Sequence, residues 1–200
     1  QRALEVAGDL VVSGTISGGA GMGAFRNRII NGDMRITQRG TSATITTGGY
    51  HTVDRIYSYP TASVVQMTQQ TLAASDTPYQ LGFRNSVRWT ALAAVAAFEV
   101  GQALEGYSTS DLNWGTSFGS PVTISFWIRS QCTAGSQLSI AVRNGSSYAY
   151  TVPFIIGSSG VWQYVTSTVP PPPNGTSWNT TNSSSISLEI GSYGSQQTTP

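Results

Sequence analysis

From Val122 to Arg129 apolar and polar side chains alternate without a break. Val122, Ile124, Phe126 and Ile128 share one parity, and Thr123, Ser125, Trp127 and Arg129 share the other. Successive side chains of a strand point to opposite faces, so this pattern predicts a strand with one apolar and one polar face. Gln137–Arg143 repeats it, with Leu138, Ile140 and Val142 opposing Gln137, Ser139, Ala141 and Arg143. In residues 186–191, Ile186, Leu188 and Ile190 oppose Ser187 and Glu189. Further strands are predicted over residues 63–72, 83–90, 98–105, 148–156 and 162–169.

Turn chemistry separates these runs. Asn-Gly tolerates the positive φ that hairpin turns demand, so Asn144-Gly145 predicts one hairpin. Asn31-Gly32-Asp33 predicts another, between Arg28–Ile30 and Met34–Ile36. Pro170 to Pro173 cannot donate ladder hydrogen bonds, so a strand must stop there. Residues 91–97 are Ala-rich and are read as a short connector. Many short strands, each with one apolar face, predict an all-β antiparallel β-sandwich over residues 25–200.

Residues 1–24 differ. The β-prone runs Leu4–Val6 and Asp9–Ile16 are broken by Gly8, Gly14 and Gly18-Gly19, and each is too short to bury its own apolar face. Identical copies wound about a shared axis would cover them, so the segment is read as a trimeric β fibre element with a Gly-rich joint over residues 18–23.

Composition narrows the function. Charged residues make up 10% of the chain, against about 25% in an average domain, while Ser and Thr number 51. The surface is therefore hydrogen-bonding rather than ionic. There is no Lys, and the ten Arg are scattered and matched by nine acids. Nucleic acid, which needs a concentrated basic stripe, is not an expected partner. The single Cys132 excludes an internal disulfide and a thiolate metal cluster. No apolar run approaches the roughly 18 residues of a membrane-spanning helix.

Candidate chemistry is sparse. His51 is the only histidine and sits in a turn-rich stretch, which leaves no histidine-based triad and no zinc ligand set. No metal or cofactor is expected: Gly19–Ala24 matches a dinucleotide fingerprint in form but opens no βαβ unit. Glycoside hydrolysis needs two carboxyls about 5–9.5 Å apart. Glu99 and Glu105 face the same way but are separated by roughly 20 Å along one strand; pairings of Glu105 with Asp111 or Glu189 stay open. The chain is read as a non-enzyme.

Aromatic residues carry the remaining signal. A sugar offers a flat C–H face that packs on an indole or phenol ring, and hydroxyls that bond amides, carboxylates and Arg. Trp127 projects from the polar face of its strand beside Arg129. Tyr107, Trp114, Tyr148 and Trp178 fall in or next to loops. These six are the candidate carbohydrate-binding residues, while Trp89 and Trp162 are assigned to the core.

The run Arg28-Ile29-Ile30-Asn31-Gly32-Asp33-Met34-Arg35-Ile36-Thr37-Gln38-Arg39-Gly40 resembles the opening of a family of phage tail-fibre and related virion proteins. Val53-Asp54-Arg55, Gln102-Ala103-Leu104-Glu105-Gly106, residues 121–130, Arg143-Asn144, Trp162 and Trp178-Asn179 follow in the order of that resemblance, which covers residues 26–190. The resemblance implies a jelly-roll sandwich similar to carbohydrate-binding modules, carried on a virion fibre or appendage. Family members run on into further strands, so an edge or core strand is expected either to be missing or to be supplied by sequence outside residues 25–200. The expected function is adsorption to host-surface polysaccharide by a homotrimeric fibre protein in contact with other virion proteins. The alternative is a structural connector or decoration protein that binds no glycan.

Overall fold

A computed structural model describes residues 26–61, 64–92, 97–145 and 148–192. The proposed fibre segment and joint, residues 1–24, lie outside them, as do residues 93–96 of the Ala-rich connector.

Eleven strands form three antiparallel sheets among the described residues. They are β1 (Ser42–Ile45), β2 (Gly49–Tyr50), β3 (Tyr57–Thr61), β4 (Val65–Thr71), β5 (Asn85–Ala91), β6 (Ala97–Glu105), β7 (Val122–Arg129), β8 (Gln137–Arg143), β9 (Ala149–Ile155), β10 (Trp162–Val169) and β11 (Ser184–Gly191). Two single-turn helices, α1 (Thr77–Gln80) and α2 (Gly106–Thr109), sit in the connections. The large sheet has the order β2-β3-β6-β11-β8-β9; a three-stranded sheet is β1-β4-β5, and a two-stranded one is β10-β7.

Both small sheets cover the same face of the large one. Val100 and Leu104 share one parity on β6. Val100 packs with Ile45, Val65 and Met67 of the three-stranded sheet, whereas Leu104 packs with Val169, Val122 and Ile124 of the two-stranded sheet. The arrangement is the expected two-layer all-β sandwich. Ile45, Val65, Met67 and Ile140 are completely buried, each contributing about 1.5–3 kcal/mol relative to an exposed side chain.

Prolines fall where a ladder loses least. Pro153 lies on β9, the outermost strand. Pro60 pairs with Phe98 beyond the two-residue stretch where β2 covers β3, so its missing N–H faces no partner strand. Gln102 is 2% exposed on the core face, and its side-chain amide both accepts from Ile30 N–H and donates to Ile30 C=O at 2.8 Å. A buried amide is thus satisfied, and residues 26–34 are tied to the large sheet.

The Asn31-Gly32-Asp33 turn forms, with Asn31 at φ 57° and Met34 N–H bonded to Asn31 C=O at 2.9 Å. Its flanks are not strands, which corrects the predicted hairpin: the Asn31 amide bonds Ile36 and Asp54 instead, holding the segment as a loop. The hairpin at Asn144-Gly145 does join β8 to β9, with Gly145 at φ 97°.

Candidate functional site

The antiparallel register of β7 and β10 sets four residue pairs on the face turned away from the core. They are Thr123 with Thr168, Ser125 with Thr166, Trp127 with Tyr164, and Arg129 with Trp162. The opposite parity, with Val165 and Val169 buried, meets the large sheet. Cross-strand neighbours lie close enough to touch, and each pair has its own chemistry. The Thr123 and Thr168 hydroxyls are 3.2 Å apart. The Trp127 and Tyr164 rings lie 5.3 Å apart at 47°. The Arg129 guanidinium sits 4.8 Å from the Trp162 ring centroid and donates to Asp76 Oδ1 at 3.2 Å.

Stacking and ion pairing hold Arg129 in place while its fork keeps further N–H donors toward solvent. Tyr164 is 53% exposed and Trp127 and Trp162 are half-buried. The result is a flat aromatic step flanked by a fixed cation and a row of hydroxyls. Such a surface can take the C–H face of a sugar ring on its rings and bond the ring hydroxyls from its edge.

Trp127 and Arg129 are therefore brought together, and the assignment of Trp162 to the core is corrected. Trp162 lies on the outer row because Arg129, its direct partner, stacks on it. Tyr164 joins the site without having been anticipated.

The other four candidates go elsewhere. Trp114, Trp178 and Tyr148 form one cluster where loops meet at the end of the sandwich. Trp114 and Trp178 rings are 4.8 Å apart, and Tyr148 and Trp178 5.6 Å, both edge-on. Trp114 is 8% exposed and donates to Ser120 C=O, and Tyr148 is 9% exposed. Trp114 and Tyr148 are therefore buried, Trp114 within the same core as Leu104, Val142 and Val169, and Trp178 packs against that core. Burial, with the neighbouring Tyr150, holds the Tyr148 phenol above its ordinary pKa. A pocket of about 120 Å³ beside the cluster is lined by Trp178, Asn113, Thr116 and Asn179 among others. Tyr107, on α2, is 68% exposed and joins neither group.

Carboxylates meet on the outer face of the large sheet. Arg143 lies 3.3 Å from Glu189 and 4.0 Å from Glu99, and the Tyr57 hydroxyl donates to Glu189 at 2.5 Å. Glu105 is beside Arg55 and Asp111 beside Arg28, and the register sets Glu189 opposite Gly101 rather than Glu105. Among the described residues no group of three or more His, Cys, Asp or Glu could hold a metal ion, and no helix is long and apolar enough to cross a membrane. Cys132 is exposed.

No protein-family model and no curated protein matches the chain. Among solved structures, the enzymatically active domain of bacteriophage CBA120 tailspike protein 4 is similar in shape at 14% identity, with a TM-score of 0.48. The match covers 82% of this chain and 19% of that one, so the chain spans about a fifth of its neighbour's length. The expectation of a non-enzyme is corrected against this neighbour, an enzymatically active tailspike domain.

Proposed function

We propose that the chain is the adsorption domain of a bacteriophage tail appendage, and that the outer face of β7 and β10 is its contact with host-surface polysaccharide. One observation carries the reading: Trp127 and Tyr164 pair into an exposed aromatic step, bounded by Arg129 at one end and by Thr and Ser pairs at the other. A surface with few charges and many hydroxyls suits a neutral or weakly acidic glycan. The phage assignment is supported by the ordered resemblance from Arg28 to Asn179.

Contacts of this kind are weak singly. Residues 1–24 are proposed to join three copies, so that linked platforms raise the effective concentration of each at a repetitive polysaccharide. The virion is the proposed location, with other virion proteins as neighbours.

The test is binding of the purified chain to an array of bacterial surface polysaccharides, repeated with Trp127→Ala, Tyr164→Ala and Trp178→Ala. The two platform variants should lose at least tenfold in affinity, while Trp178→Ala retains binding. Unchanged binding by a folded Trp127→Ala/Tyr164→Ala double variant would reject the platform. Reducing ends released in the same incubations read out any hydrolysis independently of binding.

A further inference from the structure

The arginines of this chain are committed in different ways. Arg28 and Arg55 each pair with one carboxylate, and Arg143 lies within 4.0 Å of both Glu189 and Glu99. Arg84 stacks on Tyr79 at 4.2 Å and gives Nη1 to the carbonyls of Tyr79 and Phe83. Arg129 also stacks on a ring, that of Trp162, but among the described residues its one hydrogen bond runs from Nη1 to Asp76 at 3.2 Å. Its side chain is 43% exposed. A guanidinium carries five N–H groups, so the edge formed by Nε and Nη2 is left without an acceptor among the described residues.

Two neighbours fix that edge. Trp162 takes the flat face of the guanidinium, which leaves the N–H groups pointing along its plane. Asp76 is itself held, because its Oδ2 accepts from Ala73 N–H at 2.8 Å and its side chain is only 14% exposed. Arg129 is therefore oriented before anything binds, and little side-chain freedom remains to be lost on contact.

Register gives the edge its address. Arg129 and Trp162 stand two residues along their strands from Trp127 and Tyr164, a separation of roughly 7 Å. A pyranose seated on the Trp127–Tyr164 step has its exocyclic carbon, or that of the next sugar, on the side of this edge. Paired oxygens there meet two parallel N–H donors, the arrangement in which Arg holds a carboxylate. Taking the β7–β10 face as the glycan contact proposed above, we infer that Arg129 selects an acidic sugar of the hexuronate class, whose carboxylate docks on Nε and Nη2.

Charge sets how much anion the place accepts. Asp76 already offsets Arg129, and the chain has no Lys to add to it. One negative charge completes the site, whereas a phosphate dianion adds repulsion against Asp76.

The test uses oligosaccharides of galacturonate, glucuronate and mannuronate. Each is compared with its carboxyl-reduced form and with the 6-phosphate and 6-sulfate of that form. Binding to the full chain is read by calorimetry at low and high salt. At least one uronate should bind tenfold or more tighter than its reduced form, and salt should weaken the uronate alone. Arg129→Gln should erase that preference, with near-ultraviolet dichroism checking that the variant keeps its ring packing. Absence of uronate binding, or equal binding of every uronate and its reduced form, overturns the inference. So does tighter binding of a phosphate or sulfate, or an acid preference that survives Arg129→Gln in a folded protein. The wider reading fails separately: uronate bound undiminished by the Trp127→Ala/Tyr164→Ala variant moves the contact off this face.

Discussion

Tyr57 donates its hydroxyl to Glu189 at 2.5 Å across an intervening strand, with Gly101 of β6 directly between them in register with both. A Cβ at Gly101 would lie 2.2 Å from the Leu188 carbonyl oxygen and 3.0 Å from Glu189 Cα. The missing side chain lets a phenol on β3 reach a carboxylate on β11.

That bond sets an alkaline response. Burial first, and the hydrogen bond and charge of Glu189 next, hold the Tyr57 phenol well above its ordinary 10.0. Folding thus favours the protonated phenol. The stability it contributes is complete below about pH 10 and lost as pH rises from there toward the folded value. Denaturant titrations from pH 8 to 11.5 should show a falling midpoint, and Tyr57→Phe should flatten that fall.

At the acid end the sign reverses. Arg28 forks onto Asp111 with contacts of 2.8 and 2.7 Å and also donates to the Ser108 carbonyl. The hydrogen bond and charge of Arg28 hold the Asp111 carboxyl below its ordinary 3.8. Its stabilisation is therefore present above about pH 3.8 and lost as pH falls through the lower folded value. Asp111→Asn should lower stability near pH 6 and narrow the gap to the parent between pH 4 and 2.

Gly115 takes φ 81° and presses against the loop that carries Trp178; an added Cβ would stand 1.9 Å from the Thr176 carbonyl oxygen. Gly115→Ala should cost more than the roughly 1 kcal/mol of a positive-φ alanine, because the 174–178 loop must also retreat. Thermal unfolding measures the cost, and near-ultraviolet dichroism should report loosened packing of Trp114 and Trp178.

Ile140 is fully buried on the middle of β8. Ile140→Ala should cost about 2–5 kcal/mol, whereas Ser125→Ala on the outer face of β7 should change stability by less than about 0.5 kcal/mol. Urea midpoints at constant slope compare the two.

Legibility followed the physics of each element. β7 and β8 stand where alternation placed them: β7 has one face in the core and one turned out, whereas β8 is covered on both faces, with Ser139 and Ala141 buried beside Ile140. β1, β2 and β3 were not foreseen: β2 has two residues and pairs only with β3, while β3 contains Pro60 and owes its other pairing to distant β6. The platform was half legible. Trp127 and Arg129 followed from parity on β7, and the same parity on β10 sets Trp162 and Tyr164 apart from buried Val165 and Val169. What parity withholds is register, which decides that Tyr164 meets Trp127 and Trp162 meets Arg129. The Trp114, Tyr148 and Trp178 cluster was invisible because it depends on three loops meeting in space.

β7 serves two neighbours at once. Its outer side chains carry Trp127 and Arg129, while its edge away from β10 bonds no strand and borders a cleft shared with Trp89 of β5. A ribbon held along one side only is a compliant mount for a stacking surface, and a second bonded side would stiffen it. The tilt of the Trp127–Tyr164 step is then free to follow whatever packs on it, while Arg129 stays tethered to Asp76.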